Sequence, residues 1–171
     1  MKAVSNSTPL IYPAKTNKLS LLRDVFKTVI IPPEVFNEVV VRGREEGYSE
    51  VIAIEEAIRD KWLEVKDAKV DSKLLEIARE IDKGEVEAIS LGRNVKADLI
   101  LIDDATGRKV AESFGLNVKG TLYVILRGLK KNVLSKKEAK DYILELVSSG
   151  FRLSPEVLGG VLREIEKMGD D

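Results

Sequence analysis

The chain has 171 residues, with 28 Lys plus Arg against 29 Asp plus Glu and a formal net charge of −1, so its overall charge does not mark it as a binder of nucleic acid. Cysteine and histidine are both absent, which excludes disulfides, thiolate nucleophiles, imidazole bases, the usual structural zinc sites and haem ligation by those residues. Chemistry is left to carboxylates, hydroxyls, amides, Lys, Arg and Tyr, and the cofactor that suits them is an oxygen-ligated divalent cation.

A first strand is expected over 2–6, stopping on Ser5, Asn6, Ser7 and Thr8. Such residues cap helices, and Pro9 suits a first turn, so the stop has a structural reading beside a chemical one. One or two helices follow over 8–25, interrupted near Asn17, then a β-branched strand over 28–31 that ends at Pro32-Pro33. A short helix is expected over 34–41, a turn over 42–47, a helix over 51–59 and a strand over 63–65. Helix returns at 72–81, breaks at Lys83-Gly84 and resumes over 85–93.

The continuous apolar run 99–102 reads as a buried central strand ending at Asp103-Asp104. A helix over 106–114 and an extended piece at 116–118 complete the alternating part, and helices over 121–129, 136–148 and 155–168 follow. Ser135 and Glu138 have capping-box spacing, Gly150 is a stop, and Ser154-Pro155 is a helix entry. The alternation predicts an α/β fold, a central parallel sheet flanked by helices, over residues 1–126. Residues 127–171 are expected to form a helical C-terminal extension packed on the same domain or on a dimer partner. No long apolar span is present, and the N-terminal apolar run is broken by Asn6 and Pro9; no membrane is expected, and the cytoplasm is the default location.

In an open α/β sheet the useful crevice lies beyond the carboxyl ends of the strands, where Asn6, Asp103 and Asp104 converge despite their separation in sequence. Helix-borne Glu38 and Glu85 reach the same crevice. The result is an oxygen-rich site suited to Mg²⁺ or Mn²⁺, capable of phosphodiester hydrolysis without histidine. Each member also has a structural reading. Glu34 and Glu38 form an ordinary i,i+4 pair, Asp82 and Glu85 have the spacing of a capping box, and one of Asp103 and Asp104 caps the next helix. Arg108, Lys109 and Lys119 are candidates to bring phosphates to the crevice, whereas Lys130 and Lys131 read as a solvated face. Tyr123 is too isolated to define a stacking platform.

Taken in order, SNSTPLI at 5–11, PPEVFNEV at 32–39, DKGEVEAISL at 82–91, LILIDDATGRKVAE at 99–112, VKGTLYVIL at 118–126 and GFRLSPEVLGGVL at 150–162 resemble the PIN domain family. Within it, the chain is similar to the prokaryotic branch whose first motif runs into Ser-Pro-Leu and whose third reads Gly-Glu-x-x-Ala-Ile. The resemblance implies an α/β fold and a Mg²⁺- or Mn²⁺-dependent endoribonuclease acting on RNA. It also implies kinship with toxins restrained by an antitoxin protein.

By the same resemblance Asn6 holds the first acidic position, Glu38 the second and Glu85 the third, while Asp103 and Asp104 compete for the fourth. Ser7 or Thr8 corresponds to the small hydroxyl residue beside the first strand. Asn6 departs from the family's usual Asp: its carbonyl oxygen coordinates but carries no charge. The alternative reading is therefore a catalytically weakened or inactive relative that binds RNA or protein. A phosphatase acting on small esters would fit the same acids. The apolar positions of the C-terminal helices point to a homodimer.

Overall fold

Alternation within short apolar runs sets the layering of the molecule. The computed structural model describes residues 1–77 and 79–168. Its strands are β1 (Lys2–Ser5), β2 (Thr28–Ile31), β3 (Leu63–Val65), β4 (Leu99–Leu101) and β5 (Val118–Lys119). They pair in parallel in the order β3-β2-β1-β4-β5, with Val4 opposite Ile30 on one side and Ile100 on the other. Ala3, Val29, Ile31, Leu63, Leu99 and Leu101 point into one core, and Val4, Ile30 and Ile100 into a second core across the sheet. A parallel sheet buried on both faces is the architecture that the alternating strands and helices predict.

The helices are α1 (Thr8–Lys15), α2 (Ser20–Phe26), α3 (Pro33–Phe36), α4 (Gly43–Glu45), α5 (Glu50–Arg59), α6 (Ser72–Ile77), α7 (Lys83–Asn94), α8 (Ala105–Ser113), α9 (Thr121–Lys130), α10 (Lys136–Ser148) and α11 (Pro155–Lys167). Between α3 and α4 runs a π-helical stretch, Asn37–Arg42. Leu10, Leu22, Ile54, Val124, Tyr142 and Ile165 fill the first core. Leu74, Val86, Ile89, Leu91 and Val110 fill the second. Among the described residues no helix is long and apolar enough to cross a membrane.

Several boundaries differ from the sequence expectation for identifiable reasons. The break near Asn17 is real, and that residue takes a left-handed φ of 54° between α1 and α2. The expected turn at 42–47 is helical as far as Glu45, and the chain reverses at Gly47, whose φ of 74° suits glycine. The helix expected at 72–81 ends at Ile77, with position 78 outside the described residues, as is the end of the C-terminal extension, 169–171. α7 starts at Lys83 rather than Glu85 because Asp82, not a later residue, caps it. Ser135 and Ser154 cap α10 and α11 as their spacing predicts.

The strand order reverses between β1 and β4, the place where open α/β sheets carry their crevice beyond the carboxyl ends of the strands. Asn6 follows β1 directly, and Asp103 and Asp104 follow β4 after one residue.

Candidate active site

The polar end of β1 is built into the crevice. The Asn6 N–H donates to the Leu101 carbonyl at 3.0 Å, which ties the residue to the seam between β1 and β4. The residue is 6% exposed, and its Oδ1 is buried without a hydrogen-bond partner. Ser7 stands at the cap position of α1, yet its side chain caps nothing there: the hydroxyl donates instead to Glu38 Oε2. The Ser7 side chain thus does not cap α1 as its position would allow. Thr8 is the first residue of α1.

Glu38 lies on the π-helical stretch, a type of turn often found at functional sites. Burial raises its carboxyl pKa above the ordinary value against the Ser7 hydrogen bond, with the charges of Asp82 and Glu34 adding to the rise. Glu34 behaves differently. Burial works to raise its pKa, but contacts from Lys83, Asn37 and Arg42 outweigh it and leave the carboxyl below its usual range. Its ion pairs with Arg42 at 2.6 Å and Lys83 at 3.3 Å hold it as a structural anion beside the crevice.

Glu85 unites the two readings of its spacing. Its N–H donates to Asp82 Oδ1 at 2.8 Å and its Oε2 accepts from the Asp82 N–H at 3.1 Å, a complete capping box. Its other oxygen, Oε1, faces Gly107 across the crevice. Only 4% of the residue is exposed. Burial lifts its pKa to about 7, and the charges of Asp82, Asp104 and Glu38 push the same way while the backbone bond to Asp82 opposes them. A carboxyl raised by burial and by several like charges is a mark of functional sites.

The adjacent acids divide their work. Asp104 caps α8 by accepting from the Gly107 N–H at 2.9 Å, and its charge acts on Glu85. Asp104 is therefore a helix cap that also adds negative charge to the surroundings of Glu85. Asp103 goes elsewhere: it accepts from the Thr121 N–H at 2.7 Å and the Thr121 hydroxyl at 2.6 Å. Burial raises its pKa, against the Thr121 bonds and the charge of Arg108. The Arg108 Nη1 donates to the Ile102 carbonyl at 3.1 Å, which sets its guanidinium beside this pair. Lys109 is exposed on α8, and Lys119 Nζ lies 5.3 Å from the centre of the Tyr123 ring.

Two glycines leave room for these carboxylates. A Cβ on Gly84 would stand 2.5 Å from Glu38 Oε1, and one on Gly107 would overlap Glu85 Oε1. Neither glycine, nor Asp82 as a source of charge, follows from the acidic motifs alone. The available signal is only that each glycine stands in the first turn of a helix that an Asp caps, Asp82 before Gly84 and Asp104 before Gly107.

Asn6, Glu38, Glu85 and Asp104 offer oxygen donors only, the chemistry of a hard divalent cation. Such an ion would give the unpartnered Asn6 Oδ1 a partner and offset the burial and like charges that raise Glu38 and Glu85. Their carboxylates stand apart, and among the described residues no three acidic side chains form a closed metal-holding group.

The fold is similar to that of a PilT N-terminus domain protein from the hyperthermophilic archaeon Sulfolobus solfataricus, at 17% identity and a TM-score of 0.51, covering 75% of this chain and 94% of that one. At that identity the likeness concerns the fold alone. No curated protein matches the chain. The model of the DUF3368 family, described as a PIN domain, matches residues 2–167, nearly the whole length. The chain belongs to the PIN domain family.

Proposed function

We propose that the protein is a metal-dependent endoribonuclease, a toxin-like member of the prokaryotic PIN branch that hydrolyses RNA phosphodiester bonds in the crevice beyond β1 and β4. PIN domains are generally nucleases that use divalent metal ions. The observation that supports the reading is the setting of Glu85, whose pKa is lifted to about 7 by burial first and then by the charges of Asp82, Asp104 and Glu38, together with the buried, unpartnered Oδ1 of Asn6 at the end of β1.

In this reading Asn6, Glu38, Glu85 and Asp104 hold Mg²⁺ or Mn²⁺. When bound, such an ion lowers the pKa of water and offsets negative charge on the phosphate. Ser7 orients the Glu38 carboxylate through its hydroxyl, and the Asp82 capping box orients that of Glu85. Arg108, steadied by the Ile102 carbonyl, offers its remaining donors to a phosphate oxygen. Asp103 acts as a positioning residue that fixes Thr121. Cleavage of a mixed single-stranded RNA pool in Mg²⁺ or Mn²⁺, lost in chelator, tests the assignment. Small phosphate esters hydrolysed much faster than RNA would replace it with a phosphatase.

Asn6 favours a second reading, in which the fold binds RNA or protein and cuts poorly because the first position brings no charge. A parent that binds without cutting, and gains cleavage in Asn6→Asp, supports it. The toxin relationship calls for an antitoxin, tested by a small protein that co-purifies and suppresses cleavage. Leu144, Val147 and Val157 remain exposed on α10 and α11, apolar surface suited to a homodimer. Light scattering that yields only the monomer mass opposes that assembly.

A further inference from the structure

Beside the acidic crevice, a separate cleft of about 430 Å³ opens between the start of α9 and the segment leading into α11. Its lining joins three cations, Arg108, Lys119 and Arg152, to an apolar wall that includes Tyr123, Leu153 and Val157. Asp103 is its acid, and that carboxylate is already committed to the N–H and hydroxyl of Thr121. Among the described residues neither Lys119 nor Arg152 forms an ion pair with a carboxylate. In a chain of net charge −1, this is a local concentration of available positive charge.

The cleft is also built to tight tolerances. A Cβ on Gly120 would stand 2.7 Å from Asp103 Oδ1 and 3.0 Å from Arg108 Nη1, so glycine lets both side chains pack against the turn. Lys119 holds its ammonium over the Tyr123 ring, so a cation and a half-buried aromatic ring meet in the lining of the cleft. Cations beside an apolar, partly aromatic wall match a ligand with phosphates on one edge and a flat base on the other. Asp103 lines the cleft and the next residue, Asp104, adds its charge to the surroundings of Glu85, so the cleft lies one residue along the backbone from the acids to which the phosphodiester reading assigns cleavage.

We propose that this cleft is a nucleotide subsite for the single-stranded RNA segment flanking the scissile phosphate, with Arg108, Lys119 and Arg152 on its phosphates and Tyr123 against a base. The inference rests on the ribonuclease reading for the identity of the polymer. It adds Tyr123 and Arg152, which the acidic motifs do not indicate.

Binding of a fluorescent 12-nucleotide 2′-O-methyl oligouridylate, measured by anisotropy in EDTA over a KCl series, tests the subsite without any need for cleavage. Arg152→Gln and Lys119→Gln are each expected to weaken binding several-fold and to reduce the log–log salt slope by about 0.7, the value for one phosphate contact on a single strand. Tyr123→Leu keeps apolar bulk, and is expected to weaken binding about fivefold with the slope unchanged, because it loses a stacking face rather than a charge. Arg59→Gln, at the carboxyl end of α5 and exposed, should bind as the parent does.

Arg152 and Lys119 variants that bind like Arg59→Gln would overturn the subsite while leaving metal-dependent cutting untouched. Polyglutamate that competes as well as RNA, with Tyr123→Leu neutral, would overturn it in favour of an acidic peptide. Binding with the expected pattern, in a parent that cuts no RNA with any divalent metal, would retain the subsite and remove the nuclease reading.

Discussion

Glu85 lies so close to the backbone of Gly107 that a methyl group there would overlap its carboxylate, so α8 and the capping box of α7 meet at one acidic oxygen. The group struck is the end of a flexible side chain, and it can move aside. Gly107→Ala is therefore expected to fold, with a melting temperature within a few degrees of the parent, while RNA cleavage falls at least about tenfold as Glu85 is displaced. Circular dichroism and cleavage rates on the same preparations check this.

Asp103 and Asp104 should separate stability from activity. Asp104→Asn keeps a good helix cap, so stability should change by less than about 1 kcal/mol, whereas cleavage is lost with the charge. Asp103→Ala leaves the Thr121 N–H and hydroxyl without their acceptor, and should cost about 1–3 kcal/mol in denaturant unfolding. Equal losses of stability in the two variants would contradict the division of roles.

The raised pKa of Glu85 makes stability depend on pH in a defined direction. Its carboxyl binds a proton more tightly folded, with a pKa of about 7, than unfolded, near the ordinary 4.5. The folded state therefore holds more protons between those values, and stability falls as pH rises through that window. Glu85→Gln removes the ionisable group and keeps an oxygen that accepts from the Asp82 N–H. Relative to the parent, it should gain about 1–2 kcal/mol between pH 4.5 and pH 8, allowing for screening on the crevice side. Urea unfolding without divalent metal at the two pH values measures that difference.

Much of the architecture is legible because its signals are local. The run Thr28–Ile31 is β-branched and stopped by two prolines, and Ser135 with Glu138 marks the entry of α10 without help from the rest of the chain. The π-helical widening at Asn37–Arg42 is not marked in this way, nor is the helical continuation to Glu45, where proline is absent and only Gly47 forces the reversal. At the site, the acidic types and their strand-end positions are visible in sequence. The partners are not. That Ser7 reaches Glu38, that Asp103 turns to Thr121, and that Glu34 is held by Arg42 and Lys83 are contacts across separate elements with no local spacing to announce them.

Asn6→Asp places a carboxylate where a buried carbonyl oxygen has no partner. Without metal it should lower the melting temperature by several degrees, because a buried charge is added to a crevice already crowded with acids. Millimolar Mn²⁺ should restore that loss and raise it above the parent in Mn²⁺, since a ligand that binds only the folded state stabilises it. Thermal scans with and without Mn²⁺ check both signs.

The most direct test of the central claim follows cleavage of an end-labelled single-stranded RNA pool by the parent and by Asp104→Asn, each in Mn²⁺, in Mg²⁺ and in EDTA. The account predicts internal cuts by the parent in either metal, none in EDTA, and none by the folded Asp104→Asn protein under any condition. Cutting that persists in EDTA, or equal cutting by Asp104→Asn, would contradict it.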